Sequence, residues 1–123
     1  MNRSEYGKAI LRIGISLVVL WFGITQLRNP QPWTGLIPGF LTSFYSAKTF
    51  VLVNGTFEVL FGLMLLLGVF IRFTSFILFL HIMSIAVILG YNPIGVRDFG
   101  LALGSLAIFF NGKDKFSLSK LFR

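Results

Sequence analysis

Apolar residues run through this chain in four long blocks, about 9–27, 50–71, 73–91 and 96–110, with polar and charged positions gathered at their edges. A bilayer core about 30 Å thick is crossed by about 20 helical residues, and each block approaches that length. The fourth is short and is expected to span with little tilt or to borrow residues from its flanks. None shows the ten-residue alternation of a membrane β-barrel strand. The pattern predicts an all-α membrane protein, an antiparallel four-transmembrane-helix bundle. The first block is too long for the apolar run of a signal peptide, and no small-residue cleavage site follows it; it is expected to stay in the protein. Without an internal repeat, linker or low-complexity stretch, residues 1–123 read as one domain.

The connections differ in character. Ile71-Arg72-Phe73 is too short for anything but a tight hairpin between the second and third blocks. The first two blocks are joined by a long segment, NPQPWTGLIPGFLTSFYSAK, in which prolines at 30, 32 and 38 forbid a continuous helix at the start. Residues 39–48 are expected to form a short interfacial helix with Phe40, Phe44 and Tyr45 facing the membrane. Such aromatics serve as headgroup-level anchors or, in the other reading, as part of a lid over an outward-facing cavity.

Composition narrows the classes. Hydrophobic residues make up 55% and charged residues 12%, against about 25% charged in soluble domains. The absence of cysteine excludes a disulfide scaffold, iron–sulfur clusters, attached c-type haem and thiol catalysis. One histidine, His81, argues against a His-rich metal site, and no metal is expected. The net charge of +7 does not indicate nucleic acid, because the basic residues punctuate apolar blocks. Arg3, Lys8, Arg12, Arg72, Lys113, Lys115, Lys120 and Arg123 fall on one side of a four-span chain, and Arg28, Lys48 and Arg97 on the other. That asymmetry predicts a multi-pass protein of the cell membrane with both termini cytoplasmic and the long connection extracytoplasmic.

Ionisable groups inside a span are costly and therefore informative. Glu58 lies well within the second block, with Asn54 one turn before it and Gly62 one turn after, on one helical stripe. The glycines there allow another helix to approach closely. Charge on a carboxyl in hydrocarbon is costly unless a cation or donor meets it. Glu58 therefore reads either as an interhelical hydrogen-bonding group or as a proton-linked, ligand-binding carboxyl. With the hairpin at Arg72, Glu58 and His81 lie 14 and 9 positions from the turn, a depth difference of about 7–8 Å, within reach of a water or ligand between them. Arg97 and Asp98 open the fourth block. Asp98 reads as a helix cap and Arg97 as a surface arginine, or Arg97 reaches inward to hold Glu58 ionised. Gln26, near the outer end of the first block, joins that outer polar layer. Arg12 is close enough to the cytoplasmic side to snorkel. Gly100 and Gly104 form a GxxxG packing motif, which leaves homo-oligomerisation open. No nucleophile–base pair, phosphate loop or metal-ligand motif is present.

The segments LRIG at 11–14, FGITQL at 22–27 followed by NPQPW, NGTFEVLFGLMLLLG at 54–68, IRF at 71–73 and VRDFGLAL at 96–103 together resemble the DoxX/DoxD-like family of small four-helix membrane proteins. Gly55, Glu58, Gly68, Arg72 and Asp98 stand at the matching positions. Where many members carry Lys-Leu near the end of the first helix, this chain has Gln26-Leu27. The resemblance implies a quinone-facing redox role, since the name-giving relatives are associated with thiosulfate:quinone oxidation. On that reading Glu58 exchanges the proton that accompanies quinone reduction, His81 or Arg97 tunes it, and a redox partner subunit or a second substrate supplies electrons. The alternatives are a non-catalytic scaffold or assembly subunit, which predicts a dry, filled bundle centre, and a small proton-coupled transporter, which predicts a cavity open to one side.

Overall fold

In the computed structural model, which describes residues 3–117, five helices and a 3-10 turn follow one another. Helix α1 covers Arg3–Arg28, the 3-10 turn Gln31–Leu36, α2 Gly39–Thr42, α3 Ala47–Leu67, α4 Ile71–Leu89 and α5 Pro93–Asn111. The four long helices contain 26, 21, 19 and 19 residues and are long and apolar enough to cross a membrane; at about 1.5 Å per residue the shortest still reaches about 28 Å. No strand occurs among the described residues. Lys120 and Arg123, which contribute to the charge asymmetry, lie outside the described residues.

The boundaries follow local chemistry. Ser46 caps α3, its hydroxyl accepting the Thr49 N–H at 3.2 Å. Asn92 does the same for α5, accepting the Gly95 N–H at 2.8 Å, with Pro93 in the first turn. That cap starts α5 at Pro93, so the fourth span reaches full length by taking residues 93–95 and Asn111 from the flanks of the apolar block, as expected. The hairpin between α3 and α4 lies three residues earlier than the sequence pattern predicts. Gly68, in the left-handed region at φ 77°, ends α3, and the Val69 and Gly68 N–H groups close back on the Met64 and Leu65 carbonyls. Ile71, Arg72 and Phe73 already belong to α4. The expected interfacial helix over 39–48 is also shorter. Only Gly39–Thr42 forms a helix of its own, because Ser46 is committed to capping α3 in extended backbone and residues 47 and 48 already belong to α3. Phe40, Phe44 and Tyr45 are exposed.

The helices pack as two close pairs, α1 with α3 and α4 with α5, and the pairs meet more loosely along α1–α5 and α3–α4. Small residues create the first pair: a Cβ on Gly23 would collide with Val59 and the Gly55 carbonyl, and a Cβ on Gly55 with the Gly23 carbonyl. Between the pairs, Val19, Leu65, Ile71, Leu78, Ile82, Ala102 and Ile108 form the core. Gly104 of the GxxxG receives Ile15 of α1, whereas Gly100 meets nothing, so within the chain only half the motif packs a helix. The buried hydroxyls of Ser16, Ser75 and Ser105 return to carbonyls of their own helices, which leaves no polar debt in the core. Leu17, Trp21, Leu60, Phe73, Leu80 and Phe110 point outward, as a lipid-facing surface requires.

Candidate functional site

The two ends of the bundle are built differently. At the end carrying the termini, Arg12 is buried, with 1% of its surface exposed. Its Nε donates to Asp114 Oδ2 at 2.7 Å, and its Nη1 donates to the Leu65 and Leu66 carbonyls at 2.9 and 2.6 Å. Those carbonyls belong to the last turn of α3, where the helix dipole favours a cation. Arg12 thus caps α3 from α1 while holding the segment after α5. Burial alone would raise the Asp114 carboxyl, but the Arg12 guanidinium and the Phe116 N–H together hold it below the usual carboxylate range. The snorkelling expected for Arg12 does not occur, because Asp114 folds back over it. The sequence signal was slight: a lone acid in a basic tail.

At the opposite end the helices enclose a cavity of about 430 Å³. Phe22 and Gln26 of α1, Asn54, Phe57 and Glu58 of α3, His81 of α4, and Arg97 and Asp98 of α5 line it. Trp33, Leu36, Ile37, Pro38 and Leu41 close over it from the connecting segment, and Trp33 packs edge-on against Phe22 at 5.6 Å. The covering residues are therefore these apolar ones, and Phe40, Phe44 and Tyr45, which are exposed, do not line the cavity.

One asparagine organises the polar wall. Asn54 Nδ2 donates to Gln26 Oε1 at 2.8 Å and to Glu58 Oε1 at 3.0 Å. With both amide hydrogens so used, its Oδ1 accepts from His81 Nε2 at 2.6 Å, which fixes the histidine tautomer on that side. Moving the turn to Gly68–Phe70 is what makes this possible. Measured from Val69, Glu58 and His81 are 11 and 12 positions away, so they differ in depth by about 1.5 Å and the offset expected with a turn at Arg72 disappears. The Phe57 ring lies 4.3 Å from the His81 ring. Glu58 is 7% exposed, and its Oε2 is buried with no hydrogen-bond partner in the protein. A carboxylate oxygen left so is expensive.

The predicted Arg97–Glu58 ion pair is not formed. Arg97 folds onto its neighbour, with Nε and Nη2 at 3.1 and 3.0 Å from Asp98 Oδ1, and its guanidinium sits 4.3 Å from the centre of the Phe22 ring. Asp98 is likewise no helix cap, since Asn92 holds that position and Asp98 is buried one and a half turns further on. All six candidates — Gln26, Asn54, Glu58, His81, Arg97 and Asp98 — nevertheless border the same cavity. Chemically, the arrangement offers an apolar slot with one free carboxylate oxygen, an amide and an imidazole on one wall and a neutralised ion pair on the other. No cluster of metal-ligating side chains occurs among the described residues.

No curated protein and no solved structure matches the chain. The family model for DoxX matches residues 7–92, a span that takes in Gln26, Asn54, Glu58 and His81 and stops just before α5. With that match over more than half its length, this four-helix membrane protein belongs to the DoxX family.

Proposed function

We propose that the loop-end cavity binds a small amphipathic ligand of the quinone class and that Glu58 holds or takes a proton there. The observation that carries this reading is Glu58, a buried carboxyl whose Oε2 has no partner in the protein, on the wall of a cavity large enough for a small molecule. Its volume falls within the roughly 300–1,000 Å³ of small-molecule sites, and its lining is mostly apolar with a few convergent polar groups. A scaffold subunit predicts a filled centre, which the cavity does not favour.

The residues fit a ring with polar substituents. A quinone supplies the electron chemistry when bound, taking up two protons with two electrons from a partner redox subunit. This chain's part is to bind and to move a proton. Asn54 fixes Oε1 of Glu58, which leaves Oε2 to meet a ligand oxygen as acceptor or, once protonated, as donor. Phe22, Phe57 and Trp33 form flat apolar walls. The connecting segment covers the slot and keeps water from the carboxyl. The basic asymmetry of the chain supports an orientation with the slot toward the outer face of the cell membrane and both termini in the cytoplasm.

Mass spectrometry of small molecules extracted from the detergent-purified protein tests the proposal. A ring-bearing amphiphile in near-stoichiometric amount is expected. A preparation that carries only bulk phospholipid, and takes up no added quinone, would overturn it.

A further inference from the structure

We infer that the ligand carries an apolar chain and that this chain leaves the cavity sideways, through a portal between α3 and α4 into the hydrocarbon; the inference rests on the quinone-class reading of the same cavity. The portal follows from how the two helix pairs diverge. Although α3 and α4 are joined by a three-residue turn, they pack on each other far less closely than α3 packs on α1 or α4 on α5. Side chains bridge the seam near the turn, where Phe61 meets Phe73 at 6.4 Å, and again where Phe57 and Asn54 meet His81.

Beyond that level, toward the connecting segment, α3 presents Phe50 and Val53 and α4 presents Ile85, Ile88 and Leu89. All five line the cavity, and none has a polar group. Val53 is 63% exposed and Ile88 51% exposed, so the same side chains touch the cavity and the outer surface of the bundle. Two other routes carry side chains. The α1–α5 seam is crossed at the level of the cavity by Arg97 on Phe22, and the end of the bundle is covered by Trp33, Leu36 and Pro38. An opening rimmed only by Val, Ile, Leu and Phe at the depth of a lipid-facing surface suits a hydrocarbon chain, which gains nothing from water. The polar head would then lie against Glu58 and Asn54, at the inner end of the slot, and the chain would run outward.

Equilibrium binding of two probes to the full-length protein in detergent separates the possibilities: a 1,4-benzoquinone without a side chain, and the same ring with a ten-carbon alkyl chain. Val53→Trp and Ile88→Trp narrow the portal at positions that already face outward, and Leu60→Trp, two turns nearer the α3–α4 turn, serves as control. The wild type is expected to bind the tailed probe at least tenfold more tightly than the bare ring. Each portal variant should lose that advantage, the ratio of tailed to bare affinity falling toward one whatever the bare-ring affinity, and Leu60→Trp should keep the wild-type ratio. A ratio unchanged in the portal variants would place the chain elsewhere and overturn the portal, with the cavity reading intact. If the bare ring fails to bind the wild type, the cavity reading fails and the portal falls with it.

Discussion

Removing either partner of the Arg12–Asp114 pair should loosen the terminus end of the bundle without touching the cavity. Asp114→Ala leaves the buried Arg12 charge with only the Leu65 and Leu66 carbonyls as acceptors. Arg12→Met leaves Asp114 with the Phe116 N–H and strips the last turn of α3 of its cation. Two charges about 4 Å apart interact by about 4 kcal/mol at an effective dielectric of 20, and breaking one side of a buried pair costs about 3–5 kcal/mol. Each single variant should lose about 3 kcal/mol or more. The double variant should lose less than the sum by about 1–3 kcal/mol, because the second substitution removes a charge that is already unpaired.

The assay is reversible unfolding in mixed micelles of increasing denaturing-detergent fraction, carried out as a double-mutant cycle. The pH dependence follows from the depressed Asp114 carboxyl. A group whose folded value lies below its unfolded one, ordinarily 3.8, contributes fully above that unfolded value and loses its contribution as pH falls through the folded one. The gap between wild type and Asp114→Ala should therefore stay constant from pH 5 to 8 and narrow only below pH 4. Single variants as stable as wild type, or losses that simply add, would refute the account of a coupled, buried latch.

Other outcomes follow from the same geometry. Gly23→Val should cost about 1–3 kcal/mol in the same unfolding assay, because its side chain meets Val59 and the Gly55 carbonyl where the α1–α3 backbones touch. Asn54→Leu should weaken bare-ring binding at least tenfold while the protein stays folded by circular dichroism, since it unties Gln26, Glu58 and His81 together. Glu58→Gln keeps the shape of the wall and removes the exchangeable proton, so folding should survive while proton-linked activity in the host falls steeply; full activity would refute the role given to Glu58. Cysteines at positions 2 and 118, both outside the described residues, should resist an impermeant thiol reagent in intact cells, and labelling of either would reverse the orientation.

The apolar blocks made the four spans legible because a bilayer demands about 20 consecutive apolar residues whatever the neighbours are. Turns were less so. Ile71-Arg72-Phe73 holds the only charge between two blocks and so looks like the hairpin, but the backbone turns where Gly68 can take positive φ, and the charge sits on the first turn of the next helix. Glu58, Asn54 and Gln26 could be gathered into one layer by depth and helical spacing alone. The partner of Arg97 could not. Neighbouring residues on a helix seldom face each other, yet Arg97 folds back onto Asp98 and stacks on Phe22, which leaves Glu58 without the cation assigned to it. Arg12 and Asp114 lie 102 positions apart, and nothing local in a basic tail marks one acid as the lid of a buried arginine.

The shape and lining of the loop-end cavity bear on its use. Phenylalanine is abundant in this chain, at 15 residues, and a bundle that only needed to hold its shape would gain by placing two of them here. An acyl chain from the bilayer would fill the apolar part of the slot through the α3–α4 seam. It would not satisfy Glu58 Oε2, which needs a hydrogen-bond donor or an acceptor for its own proton. On the proposed reading the occupant has a polar head for Glu58 and an apolar body for the slot, at the end of the bundle opposite the one closed by Arg12 and Asp114.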